Sequence, residues 1–216
     1  MNKFFCFKNF PNILTISRIV VIPIILVIVA IEPFGTIYQF TIFSNDNQWK
    51  LSSNITINFL IGGILFVLAC ITDWLDGFLS RKYKIVSDFG KIWDPIADKI
   101  LINSIFILFA YLKIVPWYFA VLIIVRDVIV DGFRMFLSSK NIIFPAKFSG
   151  KLKTVMQMLA IIILFFIFND ASNILNFSLF FIQNLFVIFA VIASLYSCFE
   201  YMKFFVSYKK REIQKI

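Results

Sequence analysis

The chain has 216 residues, of which 61% are hydrophobic and 19% aromatic, and its formal net charge is +9. A water-soluble domain of this composition would need an apolar surface, so the composition excludes one. It predicts an integral membrane protein instead. Histidine is absent from the sequence, which excludes histidine as an acid–base catalyst. In so apolar a chain, the positive charge favours contact with anionic lipids and anionic substrates rather than with nucleic acid.

Six apolar segments follow one another along the chain, each near the ~20 residues that a helix needs to cross a bilayer. The predicted spans are residues 12–31, 54–80, 89–111, 117–138, 152–168 and 175–199. We expect a short interfacial segment at 1–11, a polar loop at 32–53 and a basic cytoplasmic tail at 201–216. The sequence therefore predicts one all-α membrane domain over residues 1–216, a bundle of six transmembrane helices.

The basic residues indicate how this bundle is oriented. If the N-terminus is cytoplasmic, six spans leave only Lys50 and Lys113 of the 21 basic residues on the outer side. Lysine and arginine are enriched in cytoplasmic loops of membrane proteins. We therefore expect a multi-pass protein of the cytoplasmic membrane with both termini in the cytoplasm. The segment between spans two and three then opens to the cytoplasm.

That segment, residues 72–99, holds five of the twelve acidic residues of the chain. Asp73 and Asp76 are three residues apart, and Asp94 and Asp98 are four apart, so each pair shares one helix face. Carboxylates brought together repel one another unless a cation lies between them. Oxygen-only ligands suit Mg²⁺ or Mn²⁺. The spacing therefore predicts a divalent-ion site, with solvated charges at helix ends as the plainer alternative.

Polar and basic residues elsewhere extend this pattern. Asn12, Thr15 and Arg18 share one face of the first span and are expected to face the bundle, because lipid contact would be costly. A basic group lies on the cytoplasmic side of spans four and five and in the connector between them; it comprises Arg126, Arg134, Lys147, Lys151 and Lys153. Arginines inside a bundle favour a phosphate ligand. Charge anchoring on the cytoplasmic side is the alternative explanation of the group.

Several of these motifs resemble a known family. The run Asp73-x-x-Asp76-Gly77-x-x-Ser80-Arg81, followed after eight residues by Gly90-x-x-x-Asp94-x-x-x-Asp98, resembles the signature of the CDP-alcohol phosphatidyltransferase family. The family usually has alanine at the position of Ser80. Three further segments are similar to those of bacterial phosphatidylglycerophosphate synthases: Asn12-x-x-Thr15-x-x-Arg18 with Pro23, Arg126-Asp127, and Gly150-Lys151-x-Lys153-Thr154-x-x-Gln157. The resemblance covers residues 12–160.

The resemblance implies transfer of a phosphatidyl group from CDP-diacylglycerol to an alcohol, with release of CMP. It implies that Asp73, Asp76 and Asp94 bind two Mg²⁺ or Mn²⁺ ions, and that Asp98 contacts one ion and is the base. The implied CDP-diacylglycerol site comprises Asn12, Thr15, Gly77, Ser80, Arg81, Ser87 and Gly90. Homodimers are common in the family, and the resemblance extends that expectation, with surrounding membrane lipids, to this chain.

The subfamily resemblance implies glycerol 3-phosphate as the acceptor, bound by the basic group of spans four and five. Inositol phosphate and phosphatidylglycerol are alternative acceptors within the family. A membrane prenyltransferase would also use acidic diphosphate sites, but on widely separated helices. A cation transporter could use four carboxylates, but it would not need Arg81 and two glycines beside them.

Overall fold

The computed structural model describes residues 2–31, 35–43, 50–83, 88–140, 148–167 and 177–213. These ranges contain six helices and one β-hairpin. The helices are α1 (Asn2–Ala30), α2 (Ile57–Tyr83), α3 (Asp88–Tyr111), α4 (Trp117–Ser139), α5 (Phe148–Phe166) and α6 (Phe177–Ile213). The strands are β1 (Thr36–Phe43) and β2 (Lys50–Thr56).

The six predicted helices are confirmed as helices, and several of them are longer than the apolar runs. Helix α1 begins at Asn2 and so includes the segment predicted to be separate and interfacial. Helix α6 continues to Ile213, through most of the predicted basic tail. Apolar content marks only the part of a helix that suits a bilayer. Lysine, arginine, glutamate and glutamine are also good helix formers, so a helix can extend beyond its apolar run.

The prediction of an irregular polar loop over residues 32–53 is wrong where the hairpin forms. Strands β1 and β2 pair antiparallel, with Thr36 opposite Thr56 and Phe43 opposite Lys50. The sequence of β1, TIYQFTIF, is rich in β-branched and aromatic residues, which favour strands. The all-α prediction therefore holds for the bundle and omits the hairpin before α2.

The helix packing brings α1, α2 and α3 together. Helix α1 lies against α2 and α3, α5 lies against α6 and α2, and α4 lies against α6 and α3. At the centre, the ring centroids of Phe109 and Phe165 are 4.8 Å apart, and the rings meet edge to face at an angle of 66°. A Cβ atom on Gly62 would come within 2.5 Å of Val29, so this glycine permits the close approach of α2 to α1. The two acid-bearing helices are thereby held next to α1.

The outer surface of the bundle is apolar. Large apolar side chains stay exposed on every helix; examples are Val27, Leu68, Ile107, Val128, Val155 and Ile192. Within the described ranges, two helical stretches are long and apolar enough to cross a membrane, Ile57–Phe78 and Phe181–Ser207, and a shorter apolar stretch is Thr15–Ala30. Exposed apolar surface on this scale marks contact with lipid or protein. The helices and their apolar outer faces are consistent with a membrane protein.

Candidate active site

The four predicted carboxylates converge on one buried arginine. Nη1 of Arg18, on α1, donates to Oδ1 of Asp73 at 2.5 Å and to Oδ1 of Asp98 at 2.8 Å. Its Nη2 lies 3.6 Å from Asp76 and 4.0 Å from Asp94. The arginine is 1% exposed. Sequence spacing predicted that the two acid pairs would meet and that Arg18 would face the bundle, and the structure brings all five side chains together.

Only some of the polar atoms in this cluster have hydrogen-bond partners among the described residues. The hydroxyl of Thr15, one helical turn before Arg18, donates to Oδ1 of Asp94 at 2.5 Å. Oδ1 of Asp76 and Nε of Arg18 are buried without a hydrogen-bond partner among the described residues. A buried carboxylate oxygen without a donor is costly in free energy unless a positive group approaches it. Four carboxylates around one guanidinium leave the cluster with an excess of negative charge.

A large cavity borders three of the carboxylates. Its volume is about 540 Å³, and Asp73, Asp76 and Asp94 lie in its wall next to Gly77. Arg134 and Lys151 line the same cavity from α4 and α5. Its apolar wall is formed by residues such as Trp74, Val155 and Met158. The cavity therefore combines acidic, basic and apolar surfaces, as an amphipathic anionic ligand would require.

A smaller cavity borders the fourth carboxylate. Its volume is about 160 Å³, and its wall includes Asp98 and Lys99 from α3, Arg134 from α4, and Lys153, Thr154 and Gln157 from α5. Arg134 and Thr154 line both cavities. The carboxylates are therefore divided: three face the large cavity and Asp98 faces the small one.

The basic residues near the cavities differ in how they are held. Lys153 donates to Asp127, and Lys99 donates to Asp131, so the charges of both lysines are paired. Arg134 donates instead to the hydroxyl of Tyr201, whose ring lies 5.0 Å from the guanidinium carbon. Among the described residues, neither Arg134 nor Lys151 forms an ion pair with a carboxylate. These two cations therefore bring uncompensated positive charge to the large cavity.

Arg126, predicted to bind an acceptor phosphate, lies elsewhere. It is 6% exposed, and all three of its side-chain nitrogens donate to protein atoms. Nε bonds the carbonyl of Ser194 at 2.9 Å, Nη1 bonds Asp127 at 2.9 Å, and Nη2 bonds Ser197 at 2.7 Å. Neither cavity includes Arg126 in its wall. Its geometry is that of a structural residue joining α4 to α6.

The other predicted residues fall into three groups. Gly77, Arg134, Lys151 and Lys153 line the cavities, while Thr15 is buried against Asp94. Asn12, Ser80, Arg81 and Gly90 belong to α1, α2 and α3, but their side-chain surroundings lie outside the described part of the structure. Ser87 and Lys147 lie outside the described residues altogether. The binding roles predicted for all of these residues stay predictions.

Sequence reasoning missed three contributors to this site. Lys99 and Asp127 are charged residues within predicted spans, and that placement is itself a signal of function in a membrane bundle. Tyr201 gave no such signal, because a tyrosine near the end of an apolar helix is typical of a membrane interface. Only the packing of α6 against α4 shows that Tyr201 holds Arg134 at the cavity.

Arg18→Gln removes the counter-charge of the carboxylate cluster. We expect the thermal unfolding midpoint, measured in detergent with EDTA present, to fall by several degrees. Loss of one partner from a buried ion pair costs about 3–5 kcal/mol. Arg18→Lys is the matched control, because it retains the charge and should lose less. A wild-type midpoint for Arg18→Gln would show that the carboxylates do not depend on this arginine.

Comparison with known proteins agrees with the motifs. The model of the CDP-alcohol phosphatidyltransferase family matches residues 8–196. Relatives named CDP-diacylglycerol–glycerol-3-phosphate 3-phosphatidyltransferase occur in Mycoplasma pneumoniae, Rickettsia typhi and Bacillus subtilis. The first is 38% identical over 163 residues, covering 75% of this chain and 70% of the relative. The relative from Rickettsia typhi is 40% identical, over 73% of this chain and 76% of the relative. The relative from Bacillus subtilis is 34% identical, over 71% of this chain and 74% of the relative. The chain belongs to the CDP-alcohol phosphatidyltransferase family.

Proposed function

We propose that this protein transfers a phosphatidyl group from CDP-diacylglycerol to glycerol 3-phosphate, giving phosphatidylglycerophosphate and CMP. The observation that carries the proposal is the division of the carboxylates between two adjoining cavities. Asp73, Asp76 and Asp94 border the larger, partly apolar cavity, and Asp98 borders the smaller one. A two-substrate transfer needs such an arrangement, with a lipid donor on one side of the acids and a small acceptor on the other.

The comparisons support the same reaction. Relatives that are 34–40% identical carry the name of a glycerol-3-phosphate 3-phosphatidyltransferase. Membership of the family removes the reasons for considering a prenyltransferase or a cation transporter. Within the family, the relatives' names favour glycerol 3-phosphate over inositol phosphate or phosphatidylglycerol as the acceptor. Homodimer formation remains an expectation from the resemblance.

The donor is expected in the large cavity, with its diphosphate at Asp73, Asp76 and Asp94. The donor set fits two Mg²⁺ or Mn²⁺ ions in chemistry, because every ligand is a carboxylate oxygen and Oδ1 of Asp76 is buried without a partner among the described residues. In the described structure the carboxylates surround Arg18. In this arrangement, no three described side chains are close enough together to hold a metal ion. When bound, divalent ions would grip the diphosphate and stabilise charge on the leaving CMP.

The transfer itself exchanges one P–O bond for another. A terminal hydroxyl oxygen of the acceptor attacks the phosphorus that carries the diacylglycerol. The bond from this phosphorus to CMP breaks, and CMP leaves with the electron pair. Asp98 accepts the hydroxyl proton. The cavity proposed for the acceptor has two carboxylates in its wall, and the other one, Asp127, is already paired with Arg126 and Lys153. A hydroxyl held there reacts from a fixed position rather than by random encounter.

Arg134 is the best candidate to hold the acceptor phosphate. It lines both cavities, and no described carboxylate forms an ion pair with it. Tyr201 fixes its orientation with a hydrogen bond and a ring contact. Lys151 adds a second positive charge at the large cavity. Arg126 is assigned a positioning role, since it holds Asp127, which in turn holds Lys153.

We further propose that six helices cross the cytoplasmic membrane with both termini inside. The proposal is supported by the distribution of basic residues, which leaves only Lys50 and Lys113 outside. It is also supported by the exposed apolar faces of all six helices. In this orientation, the carboxylates at the end of α2 and the start of α3 meet water-soluble acceptors from the cytoplasm.

The proposed reaction is tested by CMP release. Purified protein in detergent, given CDP-diacylglycerol and Mg²⁺, should release CMP with glycerol 3-phosphate, and much less with inositol phosphate, phosphatidylglycerol or serine. EDTA should abolish CMP release, and added Mg²⁺ should restore it, because the carboxylates then bind their metal ions again. Release with inositol phosphate alone would assign another acceptor. Release that survives chelation would contradict the divalent-ion site.

The two sides of the site should respond differently to substitution. Asp98→Asn should lower turnover by about 10²–10⁴-fold, the usual effect of losing a general base, and leave CDP-diacylglycerol binding intact. Arg134→Gln should raise the KM for glycerol 3-phosphate and leave donor affinity unchanged, because it removes a phosphate contact. Steady-state kinetics with each substrate varied in turn measures both effects.

Arg126→Gln is the matched control for Arg134→Gln. Its buried hydrogen bonds should make it lower the thermal unfolding midpoint more than Arg134→Gln does, with a smaller change in the acceptor KM. The assignment of Arg134 to the acceptor phosphate is wrong if Arg134→Gln weakens donor binding instead.

Orientation is tested by thiol labelling in intact cells. In a variant with Cys6, Cys70 and Cys198 replaced, Lys113→Cys should react with an impermeant thiol reagent, because the turn between α3 and α4 is expected outside. Lys82→Cys, at the end of α2, should react only after the cells are permeabilised. Reaction of Lys82→Cys in intact cells would place the carboxylates on the outer side.

A further inference from the structure

The wall of the small cavity includes a buried side-chain amide that has no role in the proposed reaction. Gln157 lies on α5, is 1% exposed and lines the cavity together with Asp98 and Lys153. Its Nε2 atom has no hydrogen-bond acceptor anywhere in the described ranges. Buried donors are satisfied in the great majority of native structures, so an unsatisfied one beside a cavity calls for an acceptor within that cavity.

The other residues of the cavity wall indicate which substrate oxygen is the hydrogen-bond acceptor of Gln157. Phosphate oxygens are drawn to the cations in the cavity wall, above all to Arg134, whose donors bind an anion more strongly than a neutral amide does. The hydroxyl that reacts must face Asp98, the only carboxylate of the acidic cluster that lines this cavity. In glycerol 3-phosphate one oxygen then remains, the central hydroxyl. A neutral amide is a suitable donor to a neutral hydroxyl oxygen.

We propose that Gln157 is a specificity-determining residue, whose side-chain amide donates to the central hydroxyl of the acceptor. This inference rests on the proposed function and names the group that distinguishes a polyol phosphate from a simple hydroxyalkyl phosphate. With the phosphate at Arg134 and the central hydroxyl at Gln157, the remaining terminal hydroxyl is directed to Asp98. Two fixed points orient a three-carbon acceptor, whereas one fixed point would leave it free to rotate.

The test compares glycerol 3-phosphate with 3-hydroxypropyl phosphate, which has the reacting hydroxyl and the phosphate but lacks the central hydroxyl. The wild-type protein should prefer glycerol 3-phosphate by about 10–100-fold in kcat/KM, because the analogue leaves the buried amide without a partner. Gln157→Met keeps the length and removes the donor. It should lose activity on glycerol 3-phosphate by a similar factor, keep activity on the analogue, and discriminate between the two by less than about threefold.

The matched control is Gln183→Met. Gln183 is also a buried glutamine, but its Nε2 donates to the carbonyl of Ile114 at 2.9 Å and it lines neither cavity. Gln183→Met should lower the thermal unfolding midpoint and retain the full preference for glycerol 3-phosphate. Gln157→Asn provides a second variant, because it keeps the amide but withdraws it from the cavity, and it should lose the preference as Gln157→Met does.

The outcomes separate this inference from the proposed function. A wild-type protein that uses both acceptors within threefold overturns the role of Gln157 while the phosphatidyl transfer stands, and this measurement needs no variant. A wild-type protein that releases no CMP with either acceptor overturns the proposed function itself. Full preference retained in Gln157→Met also overturns the inference.

Discussion

The site depends on one electrostatic constraint, the approach of four carboxylates to the buried guanidinium of Arg18. These groups come from three helices. Asp76 is buried with Arg18, the other three carboxylates are partly exposed, and negative charges so close together repel one another unless a cation lies between them. Helix α1 supplies the only counter-charge within 4 Å of all four acids in the described structure. The packing of α1 against α2 and α3, including the close approach at Gly62, thus determines where the acids lie.

The division of the acids between two cavities follows from the same constraint. Asp98 is one helical turn beyond Asp94 on α3, so both can approach Arg18 while facing different spaces. Arg134 and Thr154 lie in the walls of both cavities and mark where they adjoin. A nucleophile and a leaving group must lie on opposite sides of the phosphorus in a direct displacement. Two adjoining cavities around one acidic cluster are suited to that geometry.

Much of the fold and the centre of the site could be predicted from local patterns. Apolar runs predicted the helices, and spacings of three and four residues predicted that the acids would share helix faces. The hairpin was missed although the sequence of β1 favours a strand, because the polar residues around it were interpreted as a loop between two spans. The partners of Arg126 were not predicted for another reason: spacing gives the face of a helix but not the residues that lie across from it. Its bonds to Ser194 and Ser197 join residues about 70 positions apart, beyond the reach of local patterns.

The pairing of charges in the small cavity also suggests how the protein selects its acceptor among phosphorylated alcohols. Lys99 and Lys153 line the small cavity, but Asp131 and Asp127 pair with them, so the cavity attracts anions less than its lysine content indicates. Charge at Arg134 can hold a phosphate, yet every phosphorylated alcohol carries one. Discrimination among such alcohols must therefore come from groups that sense hydroxyls rather than charge. In the wall of the small cavity, the buried amide of Gln157 is the neutral donor whose hydrogen-bonding capacity the described protein leaves unused. Phosphate binding and hydroxyl recognition are then tasks of different residues on different helices, α4 and α5.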